Sequence, residues 1–134
     1  MATDKDLQRL SARVGQHLLA AGARLTTAES CTGGWIACCI TDVAGSSQWF
    51  DGGFVTYSNA AKQRDLGVPK TTLAREGAVS ELTVRAMARG ALDVPASMLR
   101  SRSAASPGQT ARCPANLWGL CGSRSRSGAA RPLK

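Results

Sequence analysis

The apolar residues near the start of the chain recur at steps of three and four, the spacing of one face of a helix. They are Leu7, Leu10, Val14, Leu18 and Ala21. The spacing predicts an amphipathic helix that begins after Thr3, which forms a capping-box pattern with Asp6, and ends at Gly22. His17 lies beside the stripe, so we expect it on the solvated face and not in a catalytic role.

The pattern then changes to short apolar runs separated by turn residues. Residues 24–28 are rich in β-branched side chains and predict a buried strand. Residues 35–40 are apolar on all sides and predict a buried helix. A loop at 42–47 and a turn at 51–53 precede a second predicted strand at 54–57.

Two further helices follow the second strand. Ser58 or Asn59 can cap a short helix over residues 60–66, which ends at Gly67. Ser80 can cap another, whose apolar stripe consists of Val84, Met87, Ala88 and Ala91. Alternating strands and helices predict an α/β layered fold, and 134 residues are enough for one domain.

From Asp93 onward the composition changes to Arg, Ser, Ala, Pro and Gly without any hydrophobic period. The net charge of +8 divides unevenly, because residues 1–92 hold ten basic and eight acidic residues and residues 93–134 hold seven basic residues and one acidic. We therefore divide the chain into a domain at 1–92 and a tail at 93–134. Too little apolar surface is present in the tail to offset the entropy of ordering it, so we expect disorder.

The cysteines and the amino terminus suggest a cytoplasmic protein. None of the five cysteines forms a C-x-x-C pair, so neither a zinc site nor a redox motif is indicated. We expect Cys31, Cys38 and Cys39 to be small, buried, reduced side chains. The charged first residues do not resemble a secretory signal, and no apolar run approaches the roughly 18 residues of a membrane span.

Ser30 is the first candidate for chemistry, because it lies where a predicted strand passes into a predicted helix. Thr32, Gly33 and Gly34 follow it, and the glycines allow a substrate to approach the backbone closely. The free amide groups of the first helical turn can hold a phosphate or a developing oxyanion. A serine that only caps the helix is the alternative interpretation.

A serine nucleophile needs a base. His17, the only histidine, is poorly placed, and the lysines of the domain are Lys5, Lys62 and Lys70. Lys62 follows Tyr57 by five residues across a strand end and a helix start, so both side chains could point to one site. Burial would lower the pKa of such a lysine toward neutrality, and Tyr57 could relay a proton or hold the serine hydroxyl. The alternative is a surface lysine and a core tyrosine.

Several motifs of this chain, taken together, resemble the CinA carboxy-terminal family. They are TAESCTGG at 27–34, TDVAGSS at 41–47, GFVTYSN at 53–59, AK at 61–62, LGV at 66–68 and GAVSE at 77–81. Their order and spacing match the family without a gap from the first helix to about residue 92. The resemblance implies a layered α/β/α domain.

The resemblance also implies a function, an amidohydrolase that converts nicotinamide mononucleotide to nicotinate mononucleotide and ammonia in bacterial pyridine nucleotide salvage. Ser30 would be the nucleophile, Lys62 the base and Tyr57 the assistant. Substrate contacts would fall to Thr32, Gly33, Gly34 and Asn59. The family needs no metal or organic cofactor. The expected partner is a small nucleotide substrate, without nucleic acid or membrane, and a homo-oligomer is an option for the full-length family protein.

The family pattern stops after the fourth helix, where a turn reading V-S-G-I-A-G-P-D-G and a strand reading P-V-G-T-V-W-F would follow. A reading frame that takes the last base of one codon and the first two of the next permits the whole turn between Arg102 and Ala111. The same offset carried on to Ser123 permits K-P-V-G-T-V-W-F. The sequence therefore predicts a frameshift between Leu92 and Ser97.

Such a tail would lack the strands and the closing helix of the family, leaving a sheet edge and apolar faces open. We therefore expect this chain to fold poorly and to have little amidase activity. Two alternatives stand beside the enzyme: a non-catalytic nucleotide-binding module of the same fold, and a basic protein that binds nucleic acid through its Arg/Ser tail.

Overall fold

The computed structural model describes residues 3–95, 120–125 and 130–131. In chain order the elements are α1 (Asp4–Ala20), β1 (Ala23–Glu29), α2 (Trp35–Thr41), a 3₁₀ turn (Ser46–Gln48), β2 (Phe50–Val55), α3 (Asn59–Leu66), α4 (Lys70–Glu76), α5 (Glu81–Asp93), β3 (Leu120–Ser125) and β4 (Ala130–Arg131). The α/β class that the sequence predicts is confirmed.

The four strands form one sheet in the order β2-β1-β3-β4. β1 and β2 are parallel, with Thr27 opposite Gly53, and β1 and β3 are antiparallel, with Thr27 opposite Cys121. β1 therefore lies inside the sheet, which explains why its last five residues are buried.

The helices cover both faces of β1. Alternate side chains of a strand point to opposite faces. Leu25 packs with Ile40 of α2 and with Trp49, on the face that α1 also covers. Ala28 packs in a second cluster with α3, α4 and α5; its other members are Leu66, Val68, Leu73, Met87 and Ala91. The layered arrangement follows from these two apolar clusters.

The predicted helix starts are confirmed. Thr3 and Asp6 form a reciprocal capping box at the start of α1. Ser58, rather than Asn59, caps α3 by accepting a hydrogen bond from the amide of Ala61. Ser80 caps α5 through the amide of Thr83. Each cap satisfies a backbone donor that the first helical turn would leave unpaired.

The predicted apolar stripe of α1 is only partly buried. Leu10 and Val14 remain 55% and 37% exposed, whereas Ser11 and Gly15 are the buried residues of the helix. A Cβ atom at Gly15 would clash with the indole of Trp49. The small residues let α1 approach closely, so the contact face is rotated toward them. His17 is exposed, as predicted.

The prediction for β2 was wrong in its bounds. Residues 51–53, predicted as a turn, belong to the strand, which ends at Val55 and not at residue 57. A Cβ atom at Gly53 would overlap the hydroxyl of Thr27 on the neighbouring strand. Glycine at this position allows the two strands to pair closely. Because glycine is also typical of turns, the sequence alone indicated a turn here.

Two local features were also missed. α4 has no counterpart among the predicted elements, because Leu73 is its only buried residue and gives no period. α2 was expected to be buried throughout, but Ile40 alone is buried in it. Cys31 is exposed, and Cys38 and Cys39 are half-buried, so the expected burial of these thiols was wrong.

The expected disorder of the tail falls mostly outside the described residues. Within the tail, β3 pairs with the edge of β1 that the sequence left open. This strand overlaps the segment whose shifted frame permits the missing family strand. Among the described residues, no helix combines the length and apolar character needed to cross a membrane.

Candidate active site

Ser30 and Lys62 meet at the carboxyl end of β1. Ser30 follows the last residue of the strand, and Lys62 lies in the first half of α3. The Lys62 Nζ atom donates a hydrogen bond to Ser30 Oγ at 2.9 Å. Ser30 is half-buried, whereas Lys62 is 0% exposed. The structure therefore brings together the two side chains that the sequence assigned as nucleophile and base.

Lys62 has three oxygen partners around its amine. Besides Ser30 Oγ, Nζ donates to the carbonyl of Thr56 at 2.6 Å and to that of Tyr57 at 3.3 Å. An ammonium group uses all three N–H bonds in this arrangement. A neutral amine could keep two hydrogen bonds to the carbonyls and direct its lone pair toward Ser30. These three oxygen atoms therefore suit both the protonated and the neutral form of Lys62.

The burial of Lys62 also favours the neutral form. Desolvation lowers the pKa of Lys62 below its ordinary value, an effect that the electrostatic interaction with Cys31 partly opposes. No carboxylate is among the hydrogen-bond partners of Nζ described above. Carbonyl dipoles hold the ammonium less strongly than a full negative charge would, so a proton acceptor at this position is physically reasonable.

Strand pairing and helix capping fix the position of Lys62. The amide of Thr56 donates to the carbonyl of Glu29 at 2.8 Å, which extends the pairing of β1 and β2 to the site. Ser58 then caps α3, and the carbonyl of Lys62 accepts from the amide of Val68, a core residue, at 3.1 Å. Both ends of α3 are therefore anchored.

Tyr57 reaches the site through its backbone. Its carbonyl contacts Lys62, but its side chain is 79% exposed. The proposed role of the phenol as a relay stays a prediction. Asn59, a candidate for substrate binding, is an exposed first residue of α3 whose carbonyl accepts from Gln63 Nε2.

The loop after Ser30 requires glycine at two positions. Gly33 and Gly34 have φ angles of 61° and 95°, in the left-handed region that other residues avoid. A Cβ atom at Gly34 would lie 3.2 Å from Val55, whereas Gly33 faces open space. The open side of Gly33 leaves room for a ligand near Ser30.

The predicted anion site at the first turn of α2 was wrong. The amides of Ile36 and Ala37 donate to the carboxylate of Glu29 at 3.0 and 2.9 Å. Because an internal carboxylate satisfies these donors, they are not free for a phosphate or an oxyanion. The sequence analysis missed this role of Glu29. It could have been suspected because Glu29 is a charged residue at the end of a strand of apolar and β-branched side chains.

Two buried hydroxyls flank the site without partners. Thr32 Oγ1 and Thr56 Oγ1 make no hydrogen bond within the part of the chain that the structure describes. Thr32 was a predicted substrate contact, and Thr56 was missed. Unpaired buried hydroxyls are costly, and both oxygen atoms are closed off from solvent in this structure. The described residues contain no group of three or more His, Cys, Asp or Glu placed to hold a metal ion.

Comparison with known proteins places the chain among relatives of one family. A family model described as the CinA C-terminal domain matches residues 7–102. The nicotinamide-nucleotide amidohydrolase PncC of Escherichia coli strain K12 is 63% identical over 90 residues, which cover 67% of this chain and 54% of that protein. A CinA-like protein of Geobacter sulfurreducens is 62% identical over 78 residues, 58% of this chain and 19% of that protein. The chain spans about half the length of the amidohydrolase relatives.

Solved structures agree with the sequence comparison. The competence/damage-inducible protein CihA of Agrobacterium tumefaciens superposes with a TM-score of 0.66 at 37% identity, covering 98% of this chain and 79% of that one. The competence damage-inducible protein A of Klebsiella pneumoniae superposes with a TM-score of 0.63 at 45% identity, covering 64% and 53%.

Proposed function

The chain belongs to the CinA C-terminal domain family, and from this premise we propose that it is an amidohydrolase that releases ammonia from nicotinamide mononucleotide. The observation that carries the proposal is the hydrogen bond from Lys62 Nζ to Ser30 Oγ, made by a fully buried lysine. The similarity to nicotinamide-nucleotide amidohydrolases of the PncC type supports the choice of substrate.

In the proposed mechanism, neutral Lys62 takes the proton of Ser30 while Oγ attacks the carboxamide carbon. The tetrahedral intermediate collapses when Lys62 returns the proton to the leaving nitrogen, and ammonia departs. Water then attacks the acyl-enzyme, with Lys62 accepting its proton. Lys62 returns this proton to Ser30 Oγ as the ester bond breaks, and nicotinate mononucleotide leaves. Thr32, Gly33, Gly34 and Asn59 are proposed to contact the substrate.

The direct test incubates the purified chain with nicotinamide mononucleotide and measures ammonia and nicotinate mononucleotide in equal amounts. Nucleotide binding without turnover, unchanged in Ser30→Ala, would instead identify the non-catalytic module. Nicotinamide riboside, which lacks the phosphate, is the matched substrate control. A cytoplasmic location is part of the proposal, supported by the thiols of Cys31 and Cys39, which form no disulfide among the described residues and suit a reducing compartment.

The rate of ammonia release is expected to rise with pH and to level off below 10.5, the ordinary lysine pKa, because burial lowers the pKa of Lys62. The profile of kcat/KM reports the ionisation of the free enzyme. Lys62→Arg, which keeps the charge but does not lose its proton, should be inactive at every pH. A rate that stays flat across the range would contradict the assignment of Lys62 as base.

Replacement of Tyr57 by phenylalanine is expected to lower kcat/KM less than about fivefold, because the side chain is 79% exposed and the backbone carbonyl makes the contact with Lys62. Loss of a group that transfers a proton typically costs about a hundredfold or more. The substitution keeps the backbone carbonyl that contacts Lys62. Steady-state kinetics decide the point. A loss of about a hundredfold would restore the sequence prediction that the phenol relays a proton or holds the serine hydroxyl.

We also propose that residues beyond 92 are encoded in a shifted frame of a family gene. The support is the permitted reading of two family motifs in one offset, although the family model itself continues to residue 102. The DNA across codons 90 to 100 tests this. A single inserted base, or the loss of two, that restores both motifs would confirm the shift. A gene whose offset frames do not continue the family would make the tail genuine.

A further inference from the structure

Glu29 is a charged residue placed where the proposed mechanism uses none. It is the last residue of β1, is 1% exposed, and immediately precedes Ser30. A buried carboxylate needs strong partners, because leaving water costs several kcal/mol. The partners of Glu29 therefore indicate why the chain keeps a charge there.

The partners of Glu29 come from three elements. Its two carboxylate oxygens accept from the amides of Ile36 and Ala37, at the start of α2. Thr27 Oγ1, on the same strand, donates to Oε1 at 3.4 Å. Its backbone carbonyl accepts from the amide of Thr56, after β2. Glu29 thus joins the start of α2 to the ends of both parallel strands.

The side chains of Glu29 and Ser30 bond to helices on opposite faces of the sheet. The Glu29 side chain bonds to α2, whereas Ser30 bonds to Lys62 of α3. The loop from Ser30 to Gly34 connects the strand to α2 and contains two glycines with positive φ. Its own hydrogen bonds are local, from the amide of Gly33 to the carbonyl of Ser30 and from the amide of Trp35 to the carbonyl of Thr32, so they do not attach α2 to the strand. The carboxylate fixes the far end of this loop to the strand.

We propose that Glu29 is a positioning residue, which holds the loop of residues 30–34 so that Ser30 Oγ stays within hydrogen-bonding distance of Lys62 Nζ. The inference rests on the proposed function in using Ser30 as the nucleophile, but it does not depend on the identity of the substrate. Glu29 touches no reacting atom in this scheme. Its loss allows Ser30 to move, and a displacement of about 1 Å can lower a rate a hundredfold.

Glu29→Gln tests the proposal, because the side chain keeps its size but its amide group directs N–H bonds toward the amides of α2. A fluorophosphonate probe reports the reactivity of Ser30 without any nucleotide: Oγ bonds to phosphorus, fluoride leaves, and Lys62 takes the proton. We expect Glu29→Gln to lower the labelling rate at least about tenfold. Peptide mapping identifies the labelled serine.

Thr83→Val is the matched control. Thr83 is 0% exposed and donates to the carbonyl of Gly77 at 2.7 Å at the start of α5, so its loss also removes a hydrogen bond of a buried side chain. It should lower the melting temperature and leave the labelling rate of the folded fraction unchanged. Glu29→Asp, whose carboxylate is one methylene shorter, should fold and label at an intermediate rate, which decides the matter if Glu29→Gln does not fold.

Equal labelling of Glu29→Gln, Glu29→Asp and the unchanged chain would overturn the positioning role. So would a loss that Thr83→Val reproduces, because the effect would then follow stability alone. Labelling of Ser30 without hydrolysis of nicotinamide mononucleotide would refute the proposed substrate and leave the Glu29 result valid. Failure of the unchanged chain to label at Ser30 would refute the nucleophile and the positioning role together.

Discussion

Ser30→Ala is expected to reduce ammonia release from nicotinamide mononucleotide by at least about a thousandfold, the usual scale for loss of a nucleophile that acts together with its base. The hydroxyl of Ser30 accepts the hydrogen bond from Lys62, and we expect alanine to leave the strand and the loop unchanged. Lys62 keeps its two carbonyl partners. The loss should therefore appear in kcat, with binding of the nucleotide retained.

The matched control is Ser80→Ala, which removes a serine hydroxyl at the start of α5, away from Lys62. Loss of a helix cap costs about 1 kcal/mol of stability. Activity per folded molecule should remain within a factor of two. Full activity of Ser30→Ala, measured on protein purified apart from any host amidase, would exclude the covalent mechanism.

Restoring the family reading frame after residue 92 is expected to raise the melting temperature by at least about 10 °C, since roughly 2 kcal/mol shifts a domain of this size by that amount. The backbone of β3 already pairs with β1. Its sequence ends in Gly122, Ser123, Arg124 and Ser125, which have low β-propensity and little apolar surface. The family strand P-V-G-T-V-W-F would supply higher β-propensity and more apolar surface. Differential scanning calorimetry of the two chains gives the comparison.

Ammonia release should also increase at least about tenfold in the restored chain, because a stable sheet holds the site in one geometry. A restored chain that also carries Ser30→Ala separates the two effects: its melting temperature should rise while its activity stays low. Equal stability and activity of the original and restored chains would show that the tail is a sufficient replacement, and the expectation of an impaired chain would be wrong.

Much of the fold could be predicted from the local sequence. The caps at Thr3, Ser58 and Ser80 were recognised because a hydroxyl at a helix start acts on amides within three residues. β1 was recognised from its β-branched residues. Residues 51–53 were misassigned, because glycines that allow close strand pairing have the same local signature as glycines in a turn.

The candidate site could also be predicted in part, as far as local sequence and family resemblance allow. Ser30 was identified because it lies at a strand–helix junction, and Lys62 because His17 was poorly placed to act as the base. The family resemblance then assigned the two residues to one site. The three oxygen partners of Lys62 Nζ could not be predicted, because two of them are backbone carbonyls, which any residue would provide. The role of Glu29 depends on the approach of α2, which involves residues seven and eight positions away.

The burial of Lys62 has a consequence for attempts to engineer this protein. Between the lowered pKa of Lys62 and 10.5, the unfolded chain binds a proton that the folded chain has released, so the free energy of unfolding rises with pH in that window. At lower pH the fold bears the full cost of a buried ammonium. Selection for heat resistance alone would therefore favour an apolar residue at position 62, and such a chain would gain stability by losing its base.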